Sequence, residues 1–274
     1  MKNSRLLRIT STCLALGVFA CMAMASGSDT KKESSAVTIK DQGTSAAENQ
    51  QAAEVKEETT TVAEDEIKYE VTHTYFTHHT NSINREEYTG IVEITNTGNT
   101  YLYLGDCKFD FEDDSGHLLE SDSFISYGPD IVAPGEKGYF FQSMLLDEGI
   151  SLDNGINLVP VFTIEVAKNG AEAYVDYPVS DLDLRNEKYG GMKVTGRISN
   201  NTSEETNSID VKIIVVFFDS NGDILDVAHT YGDPMGPGST TSFEISTLLG
   251  NETVKAEDVA NYTVIARKTS LFNF

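Results

Sequence analysis

The chain runs one pattern twice, and that repetition constrains its fold more than any other feature. Gly90-Ile-Val-Glu-Ile-Thr-Asn96 and Gly196-Arg-Ile-Ser-Asn-Asn201 open two stretches that continue in parallel. Phe109-Asp-Phe-Glu-Asp113-Asp-Ser-Gly116 matches Val215-Val-Phe-Phe-Asp219-Ser-Asn-Gly222. Tyr127-Gly128 then matches Tyr231-Gly232, and Pro134-Gly135 with Phe140 matches Pro237-Gly238 with Phe243. The offset begins at 106 and drifts to 103 across the loops. Two copies of one unit of roughly a hundred residues follow.

Each copy reads as strands separated by turn signals. In the first, residues 67–76, 87–95, 101–112, 117–126, 137–143, 159–168 and 171–177 have extended character. In the second the extended segments are Met192–Ile198, Ile209–Phe218, Asp223–His229, Thr240–Ile245 and Tyr262–Lys268. Ser115-Gly116, Asn169-Gly170 and Asn221-Gly222 sit at hairpin positions, where glycine accepts a positive φ. Many short strands at this spacing predict an all-β chain of two tandem antiparallel β-sandwiches.

Alternation assigns the faces. Cys107, Phe109 and Phe111 alternate with Lys108, Asp110 and Glu112, so one side of that strand is buried and the other wet. Cys107 aligns with Ile213 and is expected in a core, inert as a thiol. The second copy has Ile214, Val216 and Phe218 where the first has its charged residues. Such a stripe is either exposed and sticky or covered by an extra strand, by the neighbouring unit or by a partner. Ile214, Val216 and Phe218 are therefore the candidate partner-binding residues.

The strand Val215-Val-Phe-Phe-Asp219 followed by Ser-Asn-Gly, then Pro-Gly and Ser-Phe-Glu-Ile, resembles the FxLYD domain of bacterial exported proteins and lipoproteins. Val215, Phe217, Phe218 and Asp219 take the motif positions, the Asp by identity; the first copy keeps Phe109 and Asp113 and has Glu112 at the Tyr position. The resemblance covers about 190–270 and, more loosely, 86–143. It implies an immunoglobulin-like sandwich and an extracytoplasmic address, and it carries over no catalytic residue.

The N-terminus points to the same address. Lys2, Arg5 and Arg8 precede an apolar run from Leu14 to Met24, shorter than the ~20 residues a membrane span needs. Residues 1–25 read as an export signal with two competing processing sites. Ala23-Met-Ala25 would free Ser26, and Val18-Phe-Ala20-Cys21 is similar to a lipobox that would make Cys21 the lipidated residue. Residues 26–66, acidic and rich in Ser, Thr and Glu, have too few apolar side chains to offset ordering entropy and are expected to form a disordered tether reaching roughly 35 Å. The first sandwich is expected over 67–180 and the second over 181–274.

The remaining composition mainly excludes. With Cys13 and Cys21 in the signal, Cys107 stands alone, so no disulfide framework is expected. A net charge of −23 disfavours nucleic acid, whose binding needs lysines and arginines against phosphates. Membrane contact is expected only through a lipid anchor. No nucleophile elbow, zinc-protease helix, CxxC pair or phosphate loop is present.

Three weaker constellations remain. His73 and His79 would lie about 20 Å apart along a strand, so a common metal would need a loop that folds back. Asp219-Ser-Asn221-Gly222-Asp223 fits a hairpin turn better than a calcium loop, and Asp176, Asp181 and Asp183 at the junction between copies are the only calcium candidates. Tyr101, Tyr103 and Tyr174 are the aromatics that could stack on a sugar. The sequence thus predicts a non-enzymatic, cofactor-free protein of the cell envelope, at the outer face of the membrane as a lipoprotein or secreted. It would act as a binding or spacer module towards an unidentified envelope or extracellular macromolecule. A diffusible glycan- or peptide-binding protein is the alternative.

Overall fold

Strands that alternate apolar and polar side chains assemble into four antiparallel sheets. The computed structural model describes residues 67–81, 84–150, 152–188, 190–247 and 253–269, all within one compact unit spanning 35–274. The signal segment, Cys21 and the tether lie outside the described residues. The first half contains β1 (Tyr69–Thr80), β2 (Glu86–Asn96), β3 (Leu102–Glu112), β4 (Leu118–Asp122), β5 (Ser126–Gly128), β6 (Ile131–Val132), β7 (Lys137–Leu145) and β8 (Asn157–Val166). After the short helix α1 (Gly170–Ala173) come β9 (Val179–Asn186), β10 (Met192–Ser199), β11 (Val211–Phe218), β12 (Ile224–Tyr231), β13 (Thr240–Ser246) and β14 (Asn261–Lys268).

Sheet I has the order β1-β2-β7-β5, and sheet II gathers β4, β6 and β8 on β3. Sheet III is β12-β11-β14 and sheet IV is β13-β10-β9. Sheets I and II enclose one core, in which Tyr88, Val92, Ile94, Leu102, Phe109 and Phe140 pack. Sheets III and IV enclose another around Met192, Val194, Val211, Val215, Phe217 and Ile245. This is the all-β sandwich architecture expected from the strand pattern. Cys107 is buried in the first core, where burial pushes its thiol well above the usual range. No helix among the described residues is long and apolar enough to cross a membrane.

The repeat is visible bond by bond. Asn96 and Asn200 are both fully buried at the ends of β2 and just past β10. Asn96 Nδ2 donates to the carbonyls of Thr100 and Val132 at 2.8 and 3.0 Å, and its Oδ1 accepts from Gly98 N–H at 3.0 Å. Asn200 Nδ2 donates to Glu204 and Met235 at 2.7 and 3.3 Å, and its Oδ1 accepts from Thr202 N–H at 3.0 Å. In each copy the asparagine carbonyl also accepts from the turn glycine, Gly135 or Gly238. Asn96→Ala and Asn200→Ala should each cost about 2 kcal/mol, since two carbonyls and a backbone amide at each site lose a hydrogen bond. Urea denaturation checks this, and a loss confined to one of the two would break the equivalence of the copies.

The motif aspartates explain themselves in the same way. Asp113 Oδ1 accepts from the N–H groups of Ser115 and His117, both at 2.9 Å, and Asp219 Oδ1 from those of Asn221 and Asp223 at 2.8 and 2.9 Å. Gly116 and Gly222 follow with φ of +82° and +88°, as these hairpin turns require. The bonds to Ser115, foremost its hydroxyl, hold the Asp113 carboxyl below its ordinary range, and backbone bonds, foremost from Asp223, do so for Asp219. The Asp219 loop is a turn.

The expected elements needed three adjustments. Strand β1 runs on to Thr80 and carries His78 and His79. Residues 171–177 were expected to be extended, but Gly170–Ala173 form a helical turn closed by the Tyr174 N–H on the Gly170 carbonyl at 2.8 Å. The boundary expected at 180/181 falls inside β9, an edge strand whose residues are mostly exposed.

Candidate functional site

The stripe of Ile214, Val216 and Phe218 faces sheet I. Ile214 and Val216 are 0 % exposed and pack with Ile224 and Val227 against Ile91, Tyr139 and Phe141. Phe218 joins this third cluster at its half-buried rim. Of the three covers the sequence left open, the neighbouring copy supplies it, so Ile214 and Val216 are not available to an outside partner. The sheets stack in the order II, I, III, IV.

This stacking accounts for how the copies diverged. At the repeat's offset, Ile91 corresponds to Arg197, Tyr139 to Ser242 and Phe141 to Glu244, all three exposed on sheet IV. Conversely Ile214, Val216 and Phe218 correspond to Lys108, Asp110 and Glu112 on sheet II. The contact is front-to-back, so identical copies would present the same sticky faces at both ends and could add further units. Polar residues at the two outer faces end the stack.

Polar groups fix the register of this interface. Lys212 Nζ reaches across to Asp130 Oδ1 at 2.7 Å and to the Tyr127 carbonyl at 3.1 Å, and sits 4.6 Å from the centre of the Tyr127 ring. Both side chains are almost fully buried, at 7 % and 1 % exposure. Gly128 lies beneath: a Cβ there would come within 2.2 Å of Ile214 Cδ1, so no larger residue fits without displacing the contact. Directly across from Lys212 on the neighbouring strand β14, Arg267 forks onto Glu136 with two bonds of 3.0 Å, lies 3.9 Å above the Tyr174 ring and also holds Asp176. Tyr174 donates its hydroxyl to Glu136 as well. Burial opposes the Glu136 charge, but the bonds from Arg267 and Tyr174 outweigh it and hold the carboxyl below its usual range.

His229 adds a pH response. Its ring packs edge-on against Phe141 with centroids 5.5 Å apart. Burial, helped by the nearby Lys212 ammonium and opposed by Asp130, pushes the imidazole down from 6.5 to about 4. Between those values the unfolded chain binds a proton that the folded one refuses. This part of the stability is present above pH 6.5 and is lost as the pH drops towards 4, by about 3 kcal/mol. Urea midpoints at pH 7 and pH 4.5 should show this loss, and His229→Gln should remove that part of it; an unchanged pH slope in the variant would contradict the assignment.

Beside the interface opens a cleft of about 780 Å³, walled by Glu136, Lys137 and Tyr139 of one copy and by Phe218, Thr263 and Ile265 of the other. Lys137 is bonded to Glu93 at 2.9 Å, so its charge and those of Glu136 and Arg267 are neutralised within the walls. The cleft therefore offers apolar and hydrogen-bonding surface more than net charge.

The other candidates are dispersed. Asp176 is committed to Arg267, while Asp181 and Asp183 lie exposed on the edge strand β9. Among the described residues no three His, Cys, Asp or Glu side chains converge as metal ligands would. His73 lies opposite Glu93 and His79 opposite Glu87 across β1 and β2, with His78 Nδ1 3.2 Å from Glu86. Tyr101 and Tyr174 do meet, edge to face at 5.5 Å, but Tyr174 is covered by Arg267. Sequence reasoning missed Lys212, Asp130, Glu136 and Arg267; the one visible signal was Lys212, a lone charge inside the apolar run Val211–Phe218.

No family model matches the chain, and no curated protein matches it. Among solved structures, a red sea bream transglutaminase is similar over 64 % of this chain at 10 % identity and a TM-score of 0.21. The match spans 26 % of the transglutaminase, about a quarter of its length. The N-terminal CBM22-1–CBM22-2 tandem domain of Paenibacillus barcinonensis Xyn10C is similar over 74 % of this chain and 87 % of its own, at 10 % identity and a TM-score of 0.15.

Proposed function

We propose that this chain is a non-enzymatic, exported protein of the bacterial cell envelope that acts as a binding or spacer module. The observation that carries the reading is the buried contact between sheets I and III, keyed by Lys212 and Asp130. It joins two immunoglobulin-like sandwiches into one stiff body with polar outer faces, which suits holding or presenting something at a distance. Burial pushes the Tyr88, Cys107, Tyr127 and Tyr139 groups well above their ordinary range, and all four lie in or against the apolar clusters, while the depressed His229 packs on Phe141. The FxLYD resemblance, the export signal and the acidic tether supply the address, with Cys21 as the anchor.

The address is tested by expressing the full chain and its Cys21→Ser variant in an exporting bacterium with labelled palmitate, followed by protease treatment of intact cells. The expected result is a labelled, membrane-associated, protease-accessible protein, with the label absent and the protein released in the variant. An unlabelled wild type in the medium would favour the diffusible glycan- or peptide-binding protein instead.

A further inference from the structure

We infer that the outer edge of β14, together with the cleft beside it, binds an extended peptide by strand addition; this rests on the binding-module reading and gives it a place. The pairing is already begun by the chain itself. Lys268 N–H donates to the Val175 carbonyl and Tyr177 N–H to the Ala266 carbonyl, both at 3.0 Å, so a short stretch runs antiparallel along the end of β14. At Pro178 the chain leaves, crosses to the facing sheet and becomes β9, paired with β10 from Val179 onward. In an antiparallel ladder successive residues alternate in direction, so Val264 and Tyr262 present their N–H and C=O groups to the same side as Ala266 and Lys268. No described strand pairs with β14 there. A peptide would thus continue a ladder that the chain itself starts and abandons.

Three of the other edges, those of β8, β1 and β9, are guarded where this one is open. Strand β8 has Pro160 in its middle, β1 has a register shift between Val71 and His73, and β9 exposes Asp181, Asp183 and Arg185 with Asp181 at a φ of +53°. Proline, bulges and charges are the usual means of blocking edge pairing. The stretch Tyr262-Thr-Val264 has none of them and consists of good strand formers. Side chains at alternate positions of an added strand would enter the cleft over Ile265, Tyr139 and Phe218, beside Thr263. The occupant that fits is an extended segment with apolar side chains at alternate positions. The chain's net charge of −23 makes it neutral or basic.

The test uses a synthetic eight-residue peptide alternating valine and lysine, added to the isotope-labelled mature protein, with amide exchange followed by NMR. Exchange at Tyr262 and Val264 should slow at least tenfold on saturation. Val264→Pro removes the outward donor and Thr263→Trp fills the cleft; each should abolish the slowing, and the second serves should the first fail to fold. No slowing at millimolar peptide overturns the proposal, as does slowing that survives both variants or spreads equally along β4 and β12. Export and surface display are read separately by the palmitate experiment, so the failure of either is distinguishable from the failure of the other.

Discussion

Asp130→Ala should destabilise the protein by about 3–5 kcal/mol, because it strands the Lys212 ammonium inside an apolar interface. Lys212 is 7 % exposed, and the Tyr127 carbonyl and the Tyr127 and Tyr231 rings beside it do not neutralise a charge. Removing the lysine as well should reverse most of the damage. Asp130→Ala with Lys212→Met replaces a desolvated ion pair by apolar surface, and such replacements are commonly neutral or stabilising. The ordering to look for in urea denaturation is therefore wild type close to the double variant, with the single variant far below. A double variant as weak as the single one would mean that the pair positions the sandwiches in a way apolar packing cannot replace.

Ile214→Glu should be at least as damaging, costing about 4 kcal/mol or more, since it removes a fully buried side chain and inserts an unpaired carboxylate. Ile91, Tyr139 and Phe141 would lose their cover in the same step. Phe218→Glu is the informative control. Phe218 sits on the same stripe but at the half-buried rim beside the cleft, where the new carboxylate can reach water. Its cost should stay near 1–1.5 kcal/mol, within the range of ordinary substitutions. Equal losses at the two positions, measured by urea midpoints, would contradict the burial gradient across this face.

Much of the fold was legible because it rests on alternation. Cys107, Phe109 and Phe111 alternate with polar residues, and they face the core as that pattern requires. Strand β9 escaped although Leu182 and Leu184 alternate with Asp181, Asp183 and Arg185, because acids at the hand-over between the copies read as a solvated connector. The site was legible only in part. The apolar stripe announced that something covers β11, but its partners Ile91, Tyr139 and Phe141 come from the other copy, where spacing along the chain says nothing about contact. Likewise Lys212 stood out as a charge among apolar residues, yet Asp130 lies 82 positions away in a loop. The clearest clue was comparative: positions that are apolar in one copy and polar in the other mark the surfaces where the copies meet.

The most direct test is to measure residual dipolar couplings on the isotope-labelled protein and fit one alignment tensor to β1–β8 and another to β9–β14. Two sandwiches locked through sheets I and III share one tensor in magnitude and orientation, and that is the expected result. Two tensors of different magnitude would show independent tumbling and contradict the face-to-face packing on which the proposed function rests.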